Sequence, residues 1–291
     1  MNRKKKWRTV GCLAAIAVTA WLVWGNVSLE TEYYTVTDMK LPEAFSGYRI
    51  AHVSDLHNAT IGKGNRRLLS AIRDAEPDSI VITGDLIDSR RTDMDVAFDF
   101  VREAAQIAPV LYVSGNHEAR LDYPAIRQGL REAGANILDD DKMILGDGEN
   151  SLAFLGLADR SFSSAEEMSE KLDSLLQETA GYRILLCHRP ELFDIFQEKG
   201  IDLMLSGHVH GGQVRIPFLG GLYTPDQGLF LKYDAGLYKA EGCRLLISRG
   251  LGHDPTFADR ESACPSCDRA PFVKVRCIFC KYSGNGRLTV K

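Results

Sequence analysis

From Tyr48 onward, short runs of apolar and β-branched residues alternate with longer stretches whose apolar positions recur at helical spacing. Residues 49–53, 79–83 and 110–114 read as strands, each closed by a small or polar cluster. Between them, residues 66–75 and 94–105 carry the helical spacing. The strands are apolar nearly throughout, the pattern of a parallel sheet covered on both faces. A second set follows, with strands at 152–156, 183–187, 201–205 and 243–248 and a charged amphipathic helix at 164–178. A Gly-rich stretch separates the last two strands. Two such sets predict an α/β fold in which two facing mixed β-sheets are flanked by helices, a four-layer α/β/β/α sandwich.

The N-terminus has a different character. Arg3, Lys4, Lys5, Lys6 and Arg8 precede an uncharged apolar run over residues 10–24, with Trp7, Trp21 and Trp24 able to sit at membrane interfaces. The run is short against the roughly 17–25 residues of a spanning helix. A buried core helix would not explain the basic flank. A cleaved signal peptide is the stronger rival, but the small-residue sites Ala15-Ile16-Ala17 and Val18-Thr19-Ala20 lie inside the apolar run rather than after it. The reading adopted is a basic cytoplasmic flank over residues 1–9 and one transmembrane signal anchor over 10–27. A main domain over 28–252 would then lie outside the cytoplasm at the cell membrane.

Composition narrows the function. With 45% hydrophobic and 25% charged residues the chain can bury a large core, and a net charge of −4 without basic runs in the body argues against a nucleic-acid partner. Of the seven cysteines, Cys187 and Cys243 stand alone in strand-like runs, so no disulfide staples the body.

The polar residues that close the strands carry the chemistry. Asp55 and His57, Asp85 and Asp88, Asn116 and His117, His188, and His208 and His210 each follow an apolar run. In α/β sheets functional groups collect beyond the carboxyl ends of strands, so five strand ends can converge on one cleft. Oxygen and imidazole ligands without thiolates suit Mn²⁺, Fe or Zn²⁺ in a reactive rather than structural site. An Asp-x-His step places both side chains on one side of an extended segment, and His208 and His210 do the same if their segment is extended. Asp and Asn after strands are commonly turn or cap residues, and a lone His is commonly structural. His52, inside the first strand, is assigned to packing. Five of the seven histidines at strand ends beside Asp, Asn or Gly is not what the structural reading anticipates.

The blocks Ser54-Asp55-Leu56-His57, Gly84-Asp85-Leu86-Ile87-Asp88, Gly115-Asn116-His117-Glu118, His188 before Arg189-Pro190, and Gly207-His208-Val209-His210-Gly211-Gly212-Gln213 resemble the ordered signature of calcineurin-like metallophosphoesterases. The likeness is to their small membrane-associated bacterial branch and runs from about Tyr34 to Gly252. It implies that Asp55, His57 and His210 hold one metal ion, that Asn116, His188 and His208 hold a second, and that Asp85 bridges both. His117 would act on the phosphoryl oxygen or leaving group as general acid, oriented by Glu118, while Asp88 supports its loop. The implied activity is hydrolysis of a phosphomonoester, phosphodiester or pyrophosphate by a metal-bridging hydroxide, with two divalent ions (Mn, Fe or Zn) as cofactors. Tethering at a bilayer points to a lipid-linked or cell-envelope phosphoester as substrate. The alternative is a catalytically inactive, metal-stabilised binding or scaffold domain at the membrane. A decayed enzyme would be expected to lack a ligand or the acid, and none is missing.

After Gly252 the resemblance stops. Residues 253–291 form a divergent tail with two Cys-x-x-Cys pairs, Cys264/Cys267 and Cys277/Cys280. A shifted reading frame ranks first, because reading one base later can restore the Pro- and Arg-containing ending that related chains carry. A zinc knuckle ranks second and disulfides third. On the first reading the tail packs poorly and a closing core strand is missing.

Overall fold

The computed structural model describes residues 7, 9–13, 28–177, 179–212, 214–216, 220–224, 228–229, 231–252 and 273–283. Most of the expected anchor segment, and residues 253–272 of the tail, lie outside the described residues. No helix among the described residues is long and apolar enough to cross a membrane.

The first sheet takes strands β1 (Ser28–Asp38), β2 (Arg49–Val53), β3 (Ser79–Thr83), β4 (Val110–Val113), β5 (Ala135–Ile137) and β15 (Val273–Ser283) in the order β1-β15-β2-β3-β4-β5. All neighbours are parallel except β1, which runs antiparallel to β15. The second sheet takes β6 (Asp141–Asp147), β7 (Asn150–Gly156), β8 (Tyr182–Leu186), β9 (Leu203–Ser206), β13 (Gly236–Ala240) and β14 (Cys243–Ile247) in the order β13-β14-β9-β8-β7-β6, with antiparallel edges at β13 and β6. Strands β10 (Val214–Ile216), β11 (Gly220–Thr224) and β12 (Gly228–Leu229) make a small separate sheet.

The pleat explains the layers, because alternate residues of each central strand face opposite sides. Ile50, Val81, Leu111 and Val113 of the first sheet pack against Leu152, Phe154, Ile184, Leu186, Leu203, Leu205 and Leu246 of the second. Their neighbours Ala51, Val53, Ile80, Ile82 and Tyr112 turn outward, towards helices α1 (Arg66–Asp74), α2 (Met94–Ala104) and α3 (Tyr123–Glu132). On the far side, Ala153, Leu155, Leu185, Met204 and Leu245 meet Met168 and Leu172 of α4 (Ala165–Gln177). The α/β architecture with two facing mixed sheets is therefore as expected, and strands 49–53 and 79–83 coincide with β2 and β3. Helices α1 and α2 each end one residue before the expected 75 and 105, and α4 begins one residue after the expected 164. Asp93 and Asp122 cap α2 and α3, accepting from Val96 and Ala125 main-chain N–H groups.

One expectation needs correcting. The tail does not leave the sheet without a closing strand, because β15 pairs with β2 on one side and β1 on the other. Strand β1 and helix α3 were not foreseen either.

Candidate metal centre

Every functional side chain leaves the carboxyl end of a parallel strand. Asp55 and His57 follow β2, Asp85 and Asp88 follow β3, Asn116, His117 and Glu118 follow β4, His188 follows β8, and His208 and His210 follow β9. Main-chain bonds tie these loops together: Asp55 N–H donates to Gly84 O at 3.0 Å, His57 N–H to Asp85 O at 3.0 Å, and Gly207 N–H to His188 O at 3.0 Å. Leu251 N–H, beyond β14, donates to Ser54 O at 3.1 Å and so joins the two sheets at the site. The close approach requires glycine. A Cβ on Gly115 would collide with Asp85 Oδ1, and one on Gly207 with the Ser54 hydroxyl and Asp55 Oδ2.

The Asp-x-His and His-x-His steps are not extended, contrary to expectation. Asp55, His57, Asp85, His208 and His210 have φ of 53°, 47°, 50°, 74° and 50°, in the left-handed region. Such backbone costs roughly 1–2 kcal/mol per non-glycine residue, and it recurs at the residues that face the cleft.

Two groups of donor atoms result. In the first, Asp55 Oδ1 lies 3.5 Å from His210 Nε2 and 3.9 Å from His57 Nε2, and the two Nε2 atoms are 3.2 Å apart. In the second, His188 Nε2 lies 3.3 Å from Asp85 Oδ2, 3.2 Å from Asn116 Oδ1 and 3.2 Å from His208 Nδ1. Asp85 Oδ2 is also 3.8 Å from His57 Nε2, so one oxygen faces both groups, while Oδ1 accepts the His117 N–H at 2.8 Å. Asp55 is held in turn by the Ser54 hydroxyl at 2.5 Å and the His208 N–H at 3.0 Å.

The electrostatics suit a cation. Burial opposes ionisation of Asp85, but His188, His57 and His117 outweigh it and hold the carboxyl well below its usual range. Asp55 behaves likewise, with His210 and His188 opposing its burial. Burial would lower His188, yet Asp85 and Asp55 push it up to about 10; burial and the adjacent His210 lower His57 to about 4. Two buried carboxylates thus demand positive charge where pairs of imidazole nitrogens face each other at 3.2 Å. A divalent ion meets both conditions, so the donor set fits the implied metals.

His117 lies beside the first group, its ring centroid 4.4 Å from that of His57. Its Nδ1 accepts the Ser89 N–H at 3.1 Å and lies 3.3 Å from Asp88 Oδ1. A main-chain N–H can only donate, which assigns the proton of the neutral ring to Nε2. Burial, chiefly, lowers its basicity. Glu118 does not orient this ring. Its fully buried carboxylate accepts instead from the Asp85, Ile87 and Gly115 N–H groups at 3.0, 3.0 and 2.9 Å, clasping the β3 and β4 loops. Burial, with Asp85 nearby, pushes Glu118 up to about 7. Asp88 accepts the Arg90 N–H, as a loop support would. His52 is buried with Nε2 2.6 Å from Thr83 Oγ1, in keeping with packing.

Sequence reasoning missed Ser54, Ser89 and a pair at the second group formed by the half-buried Arg189 and the buried Asp159. Arg189 Nε donates to Asp159 Oδ2 at 3.0 Å while its Nη1 lies 3.2 Å from His208 Nε2. Asp159 closes β7 as the other acids close their strands, so the same rule would have found it.

The profile of the calcineurin-like phosphoesterases matches residues 48–212. YkuE, an uncharacterized metallophosphoesterase of Bacillus subtilis, is 28% identical over 83% of this chain and 87% of its own length. An uncharacterized metallophosphoesterase of Aquifex aeolicus is 30% identical over 77% of this chain and 84% of its own. Phosphodiesterase YaeI of Escherichia coli is 26% identical over 70% and 75%. Among solved structures, a dimetal phosphatase from Danio rerio superposes with a TM-score of 0.47 and 14% identity over 70% of this chain and 88% of that one.

Proposed function

Since the chain belongs to the calcineurin-like phosphoesterase family, we propose that it hydrolyses a phosphate ester with the help of two divalent ions. Asp55, His57 and His210 would hold one ion, and Asn116, His188 and His208 the other. Asp85 would serve both. The observation that carries this reading is Asp85 Oδ2, which faces His57 at 3.8 Å and His188 at 3.3 Å. Bound there, divalent ions draw charge from the phosphoryl oxygens and lower the pKa of water enough for attack near neutral pH.

The chain's own groups supply the rest. Nε2–H of His117 is free to donate to the departing oxygen, because Nδ1 is engaged by Ser89. Ser54 and the His208 N–H fix the Asp55 carboxylate, and Glu118 fixes the loops that present Asp85 and His117. The basic flank and apolar run at the N-terminus support a membrane-tethered domain outside the cytoplasm, and with it a lipid-linked or cell-envelope ester.

Purified protein loaded with Mn²⁺, Fe or Zn²⁺ should hydrolyse nitrophenyl mono- or diesters, with a phospholipid panel run alongside. Absence of turnover on all of them, in a folded and metal-loaded sample, would defeat the reading in favour of a non-catalytic domain.

A further inference from the structure

Behind the second donor group lies a guanidinium where an acceptor is needed. Arg189 Nη1 stands 3.2 Å from His208 Nε2, while Nδ1 of the same ring faces His188 Nε2. A guanidinium nitrogen only donates, so in this contact His208 Nε2 offers its lone pair. A His208 that ligates an ion through Nδ1 has that nitrogen committed and keeps its proton on Nε2. Two donors would then face each other. Histidines that ligate metals direct this N–H to a carboxylate, a carbonyl or water instead.

An acceptor stands within the same cluster. Residues Pro190–Leu192 form a single turn after Arg189, and Glu191 belongs to it. Glu191 Oε1 lies 3.5 Å from the same Nη1 that meets His208. Both Glu191 oxygens are buried, yet neither accepts a hydrogen bond among the described residues. With its side chain only 19% exposed, this carboxylate is largely withdrawn from water and in want of a donor. The other end of the guanidinium is fixed. Its Nε donates to Asp159 Oδ2 at 3.0 Å, and Asp159 is anchored in turn. Asp159 Oδ1 accepts the Ser161 N–H at 2.8 Å, and its own N–H donates to Ser114 Oγ at 3.1 Å. Two carboxylates thus flank one guanidinium, and Asp159 balances its charge without Glu191.

We propose that Arg189 and Glu191 exchange places on His208. The guanidinium holds Nε2 until an ion binds the second group, and the Glu191 carboxylate then accepts the Nε2–H. Glu191 is a positioning residue for His208, and Arg189 is a built-in competitor of the ion. The inference rests on the two-ion reading above and deepens it, because it makes the second site the one whose occupancy the chain regulates.

The test is calorimetric titration of Mn²⁺ into the chelator-stripped full chain, with bound ions counted by elemental analysis. Asn116→Ala, which removes a donor of the second group alone, identifies the binding step of that group. Glu191→Ala should weaken this step by about 10–100-fold and leave the other unchanged. Glu191→Gln, whose amide oxygen still accepts, should recover most of the loss. Arg189→Met should move the same step the other way, tightening it about tenfold through loss of the competing contact. That variant strands the Asp159 carboxylate, so Arg189→Met/Asp159→Asn is measured beside it and should tighten the step equally. Thermal unfolding in chelator establishes that each variant is folded. A merely structural ion pair would shift the Arg189 and Glu191 variants in one direction. That outcome, or no shift in either, in a wild type that binds two ions, overturns the inference alone. A wild-type chain that binds fewer than two ions defeats the reading beneath it.

Discussion

Asp85 and His188 come from different sheets and meet at the centre, Oδ2 and Nε2 lying 3.3 Å apart, although 103 residues separate them in sequence. Asp85→Ala removes the oxygen that faces both donor groups. It should lower turnover by about 10³-fold or more and reduce bound metal, measured by elemental analysis of the purified protein. Chelation should also lower the melting temperature of the wild type, since a ligand at about 1,000 times its Kd stabilises by about 4 kcal/mol. A variant that kept full activity would remove Asp85 from the bridging role.

His117→Ala separates chemistry from binding. The ring provides no donor atom to the two main groups but offers Nε2–H beside them. Metal content should therefore stay at the wild-type level while kcat falls by about 10²–10⁴. The loss should shrink with a leaving group that needs no proton, such as nitrophenolate, compared with an alkoxide. An equal loss on both would argue against an acid role.

Glu118→Gln conserves shape but replaces an acceptor-only group by one that also donates. One amide nitrogen would then face main-chain N–H groups that the carboxylate now accepts. A stability loss of about 1–3 kcal/mol is expected, read from chemical denaturation. Activity should fall as well, because the same three contacts hold the loops of Asp85 and His117. Unchanged denaturation would show that the clasp is dispensable.

His52 supplies a pH signature. Burial drives its pKa down to about 3, with the Asp55 charge acting the other way. The unfolded chain binds this proton near pH 6.5, the folded one only near 3, so the contribution is intact above 6.5 and lost as pH falls. At pH 5 the loss from this group is about 2 kcal/mol. His52→Gln should flatten the acid limb of stability between pH 6.5 and 4, measured with chelator in both proteins. Parallel acid limbs would show that other groups dominate.

Much of this was legible beforehand because the central strands are apolar on both faces and stop at chemically distinctive residues. That pattern gathered Asp55, His57, Asp85, Asp88, Asn116, His117, His188, His208 and His210 at strand ends, and the family resemblance, not the pattern, singled out the seven implied metal ligands among them. The edge strand β1, with its mixed polar sequence, gives no such signal, nor does β15. Local geometry was illegible for a different reason. Alternation in extended chain suggested how Asp55 and His57 share a side, whereas left-handed turns do it, and nothing in residue spacing distinguishes the two. The role of Glu118 was misread because its three partners are main-chain amides, which every residue carries.

The left-handed backbone at Asp55, His57, Asp85, His208 and His210 has an evolutionary corollary. At each position glycine would relax the chain, and the present side chain persists against that local preference. A lineage released from selection for catalysis should therefore drift towards glycine at these five positions first, gaining robustness as it loses chemistry. Glycine there would be the fossil mark of a retired enzyme.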